Sequence, residues 1–299
     1  MLLKVHDPVF KAMKLRIITS IIGILFGLTF VQRSFAENIP VYIIAGQSNA
    51  SIRLQAEDPL PETPKFPLNN VKFFSVSRVG GLLAGPRPLG PRIENGSIYY
   101  GPELSMGIDL SNVIKKEIAL LSVAFGGMGL AKSPLPDFNP ANINEGYTTL
   151  VRSIERTISI LKSQGFTPHI AGLSWIQGET DAKSANAPND TIALKQPRAA
   201  NHYEKNLTKL IESLRELFDT KFPVALSVVF IKSPNLFGEF NYVNTVEMAQ
   251  RRVADIIPAV KLVETSDLSH IDGIHFDSRS VQILGHRLAK SLLRKEDLP

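Results

Sequence analysis

The chain has 299 residues, 44% hydrophobic and 20% charged, which fits one large globular core and excludes a disordered or fibrous chain. Its formal charge of +5 is concentrated at the start, where residues 1–36 hold five Lys and Arg against one Asp, +4 of the +5; the +1 that remains gives no reason to expect nucleic acid or an anionic membrane as a partner. Cysteine is absent, which excludes disulfides, thiolate metal sites and a cysteine nucleophile together.

Lys4, Lys11, Lys14 and Arg16 precede a mostly apolar run over 17–31, followed by Ser34-Phe35-Ala36. A basic flank, a short apolar segment and small residues two apart describe a signal peptide; the run is shorter than the ~20 apolar residues a spanning helix needs. Cleavage near Ala36 is therefore expected. It leaves an exported chain, periplasmic or secreted, of a single domain over 37–299 with no stable membrane association.

Short apolar runs then alternate with segments of helical period. Residues 41–45, 71–76, 118–123, 170–175 and 224–230 read as buried strands, with 260–263 as a further short one. Tyr147, Leu150, Val151, Ile154, Ile158 and Leu161 recur at three- and four-residue spacing and share one helix face, as do Leu207, Leu210, Ile211, Leu214 and Phe218. Helices starting near Pro102 and covering 243–257 and 278–293 complete a three-layer αβα sandwich around a mostly parallel five-stranded sheet. The Pro- and Gly-rich stretches 59–67 and 85–91 and the polar segment 183–196 read as loops. Such sheets bind ligands beyond the carboxyl ends of their strands.

Gly46-Gln47-Ser48-Asn49 stands directly after the first strand. A hydroxyl there faces the crevice while nearby backbone N–H groups point at developing negative charge, although Ser and Asn also simply cap helices. A serine nucleophile needs an imidazole oriented by a carboxylate. Of the six histidines, His6 lies in the signal segment, His169 precedes a strand, and His202 and His286 fall in predicted helices. His270 and His275 remain, each with an Asp three residues before it, Asp267 and Asp272. Asp272-Gly273-Ile274-His275 suits the task better, because Gly273 permits a tight turn and Phe276 leads into the last helix; His270 then reads as a polar loop residue.

Taken together, Gly46-Gln47-Ser48-Asn49, Gly101-Pro102-Glu103-Leu104, Phe125-Gly126-Gly127, Trp175-Ile176-Gln177-Gly178-Glu179-Thr180-Asp181 and Asp272-Gly273-Ile274-His275-Phe276 resemble, in order and spacing, the sialate O-acetylesterase-like and family-six (acetylxylan esterase-like) branch of the SGNH hydrolases. The resemblance runs from about residue 41 to 293. It implies a flavodoxin-like sandwich, no metal or other cofactor, and a serine esterase acting on O-acetyl groups of carbohydrate through Ser48, His275 and Asp272 and an acyl-enzyme. It also implies an oxyanion hole built from the Ser48 N–H, Gly127 with Gly126 close behind, and a side-chain amide, here Gln177. Gln47, Asn49 and Glu179 are its supporting residues, Glu179 as an acid that braces the loops. The alternatives are a lipase or thioesterase of the same fold and an inactive carbohydrate-binding relative. The sequence departs from many relatives at Met128-Gly129, where they carry a small hydroxyl residue. Glu179 and Asp181 also read as an acid/base pair or metal ligands, but no second ligand cluster accompanies them. Trp175 reads as core, Glu103 as a carboxylate at a helix N-terminus, and Phe138 and Tyr147 as the candidates for sugar stacking.

Overall fold

The computed structural model describes residues 36–51, 54–55, 65–133, 136–142, 145–183, 198–232 and 240–294. Residues 1–35 of the segment expected to be a signal peptide, residues 59–64 of one expected loop, and most of 183–196 lie outside them. Of the two units into which the chain divides, Met1–Glu37 and Asn38–Pro299, the second carries the fold.

Ten strands and six helices are described: β1 (Glu37–Gly46), β2 (Leu54–Gln55), β3 (Leu68–Val76), β4 (Ala84–Leu89), β5 (Arg92–Glu94), β6 (Ser97–Tyr100), α1 (Glu103–Ile114), β7 (Ile118–Ala124), α2 (Gly146–Ser163), β8 (Phe166–Ile176), α3 (Arg198–Asn201), α4 (Tyr203–Leu217), β9 (Val224–Ser227), α5 (Val243–Ile256), β10 (Val260–Val263) and α6 (Ser278–Leu292). The main sheet runs β10-β9-β8-β1-β7-β3-β4, and β2, β6 and β5 form a small second sheet. The β1–β7, β3–β7, β8–β9 and β9–β10 pairs are parallel and the edge pair β3–β4 is antiparallel.

The αβα sandwich is as expected, but the sheet has seven strands rather than five. One addition is the short strand foreseen over 260–263. The other, β4, lies in the stretch expected to be a loop; an edge strand needs hydrogen bonds on one side only, so Pro86 and Pro88 are tolerated. The strand expected over 224–230 stops at Ser227 because the Gln250 side chain takes the Val229 N–H at 2.8 Å.

Alternation along β1 sorts the core into two layers. Val41, Ile43 and Ala45 face α2, α4 and α5, packing with Leu150, Leu207 and Val246. Tyr42 and Ile44 face α1 and α6, packing with Leu104 and Leu284. Burial on both faces holds the ends of the central strands in place, and the site is built on those ends.

Candidate active site

Three strand ends converge. Gln47 N–H donates to the Ile176 carbonyl at 3.0 Å and Phe125 N–H to the Gly46 carbonyl at 3.0 Å, tying the segments after β1, β7 and β8 together. The approach is close enough to demand glycine at 46: a Cβ there would lie 2.0 Å from the Ile176 oxygen, and φ is +146°. Ser48 then opens a single turn of 3-10 helix, Ser48–Ala50.

The last loop brings the imidazole. Asp272 Oδ1 accepts the N–H groups of Ile274 at 2.9 Å and His275 at 2.7 Å, a tight turn that fixes the carboxylate against its own backbone. Asp272 Oδ2 lies 2.6 Å from His275 Nδ1, and His275 Nε2 lies 3.0 Å from Ser48 Oγ. With Nδ1 protonated toward Asp272, Nε2 is the acceptor that faces the hydroxyl. Partial burial opposes ionisation of Asp272, but the bonds from the His275 ring and the two N–H groups outweigh it and hold the carboxyl below its usual range.

Asn49 joins the serine turn to the histidine loop. Its Nδ2 donates to Glu179 Oε1 at 2.6 Å and to the Ile274 carbonyl at 3.1 Å, and its Oδ1 accepts Phe276 N–H at 3.1 Å. Glu179 is buried, its Oε2 has no partner among the described residues, and burial pushes its carboxyl up, against the bond from Asn49 and the nearby His275. Through Asn49 it is linked to both the serine turn and the histidine loop.

A pocket of about 300 Å³ opens beside Ser48 and His275, with Gly127, Thr180, Lys183 and Phe240 in its walls. Met128 N–H closes a turn on the Phe125 carbonyl at 3.2 Å, which leaves Gly126 and Gly127 at an exposed corner, Gly127 with a φ of +71°. Among the described residues, neither Ser48 N–H nor Gly127 N–H donates to a backbone carbonyl. Both are available to an oxygen in the pocket.

Several expectations change. Gln177 does not reach the pocket: its Nε2 donates to Asp181 Oδ2 at 2.6 Å and meets Gln47 Oε1 and the Met128 carbonyl at 3.3 Å, so both hydrogens are used inside the protein. Asp181 is a buried structural acceptor rather than half of an acid pair, taking the Leu130 and Ala131 N–H groups at 2.8 and 2.9 Å. Phe138 is fully buried against Trp175, ring centroids 5.1 Å apart, and Tyr147 lies away from the pocket; Phe240 is the aromatic ring that lines it, with Lys183 Nζ 5.8 Å above its centroid. Phe240 stood outside every motif, so its sequence carried no signal. His270 lies in the loop before α6, half-buried, with its ring between those of Phe230 and Phe276 at 5.4 and 4.8 Å. Trp175 is core, donating to the Tyr203 hydroxyl at 3.3 Å. Glu103 opens α1 but is buried, with Oε1 accepting Gly101 N–H at 2.9 Å and Oε2 unpartnered among the described residues; burial pushes its carboxyl up to about 7. Among the described residues no three His, Asp or Glu side chains converge as metal ligands, and no helix is long and apolar enough to cross a membrane.

Residues 38–294 match the family described as carbohydrate esterase, sialic acid-specific acetylesterase. Among solved structures, a protein of Arabidopsis thaliana superposes with a TM-score of 0.60 at 20% identity, covering 85% of this chain and 97% of that one. NanS superposes with a TM-score of 0.59 at 14% identity over 86% and 97%. A carbohydrate acetylesterase from Xanthomonas citri does so at 0.55 and 18%, over 84% of this chain and 55% of that one. At these identities the likeness establishes the fold. No curated protein sequence matches the chain.

Proposed function

Because the chain belongs to the sialic acid-specific acetylesterase family of carbohydrate esterases, and so is a carboxylic ester hydrolase, we propose that it removes O-acetyl groups from carbohydrate by acyl transfer through Ser48. The observation that carries this reading is the continuous line from Ser48 Oγ through the His275 ring to Asp272, at 3.0 and 2.6 Å.

In the first step His275 Nε2 takes the proton of Ser48 as Oγ attacks the acetyl carbonyl, and Asp272 stabilises the imidazolium through Nδ1–H. The negative charge that forms on the carbonyl oxygen is met by the N–H groups of Ser48 and Gly127, donors already in place that need no reorganisation. His275 returns the proton to the departing sugar oxygen. Water, deprotonated by the same ring, then attacks the acetyl-Ser48 ester and releases acetate. Phe240 offers the sugar an apolar ring, and Lys183 beside it a cation.

The expected setting is outside the cytoplasm, residues 1–36 serving as the export signal and 37–299 as a single esterase domain. Hydrolysis of p-nitrophenyl acetate, butyrate and octanoate by wild type, Ser48→Ala and His275→Ala tests the chemistry. Preference for acetate and loss of turnover in both variants is the expected result. Preference for octanoate makes the protein a lipase of the same fold, and full rate in Ser48→Ala removes the mechanism.

A further inference from the structure

We propose that a second cavity, at the opposite end of the sheet from Ser48, binds an amphiphilic carboxylate, a small molecule with an apolar body and one anionic head, whether or not acyl transfer runs through Ser48. Parallel strands give the two ends of a sheet different surroundings. The carboxyl ends of β1, β7 and β8 carry the candidate active site, whereas the amino ends of β8, β9 and β10 open on a cavity of about 360 Å³. That volume falls within the ~300–1,000 Å³ of small-molecule sites. Its walls are tied together. Leu173 N–H donates to the Pro223 carbonyl at 3.0 Å and Val224 N–H to the Ala259 carbonyl at 2.9 Å, which fixes the entrances of three neighbouring strands. The end of α6 closes the cavity so tightly that a Cβ on Gly172 would lie 2.9 Å from Leu292 Cδ2. A ligand therefore meets formed walls and has little protein to order.

Floor and rim differ in chemistry. Ile170, Ala171, Phe222 and Leu292, each less than a tenth exposed, give the cavity an apolar floor. Lys221 and Lys261 stand exposed on its rim, and no Asp or Glu lines it. Among the described residues neither lysine has an ion-pair partner. Elsewhere Lys72, Arg251, Arg252 and Arg287 each reach a carboxylate at 3.0 Å or less. His169 and Arg294 complete the rim, both already with interactions of their own. Residues 37–299 carry only +1 in total, so these cations are a local concentration and not a sample of a basic surface. Unpaired cations above an apolar floor select two properties at once. A small polar anion leaves the floor wet, and an uncharged hydrocarbon leaves the lysines unanswered. A carboxylate with a short alkyl body satisfies both, and each methylene it seats is worth up to about fourfold in affinity.

The test is isothermal titration calorimetry of the full chain with octanoate, hexanoate, 1-hexanol and glucuronate, repeated on Lys221→Glu/Lys261→Glu, with circular dichroism to monitor the fold. Octanoate is expected to bind wild type with a Kd on the order of 0.1–1 mM, and hexanoate more weakly by up to about fifteenfold. Hexanol, which lacks the charge, is expected to bind more weakly than hexanoate, and glucuronate, which lacks the apolar body, more weakly than octanoate. Both lysines are exposed, so the double variant is expected to fold as wild type does, to hydrolyse p-nitrophenyl acetate at the same rate, and to bind octanoate at least about tenfold more weakly. Four results overturn the proposal: no saturable octanoate binding up to about 10 mM, hexanol as tight as hexanoate, glucuronate as tight as octanoate, or equal octanoate affinity in wild type and the double variant, which would put the ligand in the Ser48 pocket or elsewhere. Loss of acyl transfer as a reading leaves the cavity untouched: full rate in Ser48→Ala removes the first, and only the titrations bear on the second.

Discussion

Asn49 Nδ2 lies 2.6 Å from Glu179 Oε1, and the other end of the same amide accepts Phe276 N–H at 3.1 Å. One side chain therefore holds the serine turn, the segment after β8 and the histidine loop in register. Asn49→Ala removes all of this and leaves the Glu179 carboxyl without a partner. The expected loss is about 2–4 kcal/mol in urea unfolding, together with a fall in kcat of roughly tenfold or more as Ser48 and His275 drift apart. Unchanged kcat in a folded variant would show that the serine and histidine segments hold each other without Asn49.

Asp272→Asn preserves shape but lets the imidazole settle in the wrong tautomer. A fall in kcat of about 10³–10⁴-fold is expected, with KM nearly constant. The wild-type carboxyl is held below its usual range. Its contribution to stability is present above the unfolded value of 3.8 and lost only as pH falls through the lower folded value, so Asp272 places no limb in the pH–rate profile near neutrality.

Glu103 behaves oppositely. Burial raises its carboxyl from 4.5 to about 7, so the folded protein binds a proton that the unfolded chain releases. The stability this gives is complete below 4.5 and is lost as pH rises to about 7, a change on the order of 3 kcal/mol. Glu103→Gln, which is neutral throughout, is expected to flatten that slope in denaturant midpoints measured from pH 4 to 8. A slope equal to wild type would remove Glu103 as its source.

Gly46→Ala meets the Ile176 carbonyl at 2.0 Å, so backbone must move. A cost of about 2–4 kcal/mol is expected. Because the displaced residue lies two before Ser48, the folded fraction is also expected to be nearly inactive, which active-site titration with a phosphonate measures.

Much of this was legible in the sequence. The buried strands announced themselves as apolar runs, and Asp272-Gly273-Ile274-His275 carried its own geometry, since a short carboxylate three residues from an imidazole can reach it only over a tight turn. The β5–β6 hairpin was legible too: Asn95 and Gly96, with φ of 50° and 80°, are the pair that a two-residue turn requires. β4 was not, because Pro86 and Pro88 read as loop residues unless the strand is known to lie at an edge. The direction of the Gln177 amide was not legible for a related reason. Spacing placed it at a strand end, but whether its amide faced the pocket depended on Asp181 and Gln47, and that competition exists only in three dimensions.

Ser48 and His275 meet across 227 residues of sequence, between the first strand of the fold and the loop before its last helix. No contiguous fragment short of nearly the whole domain holds both. If Ser48 and His275 act as proposed, turnover is a measure of completed folding: a nascent or unfolded chain carries an ordinary serine and an ordinary histidine, and reactivity arises only when β1 and the loop before α6 come together.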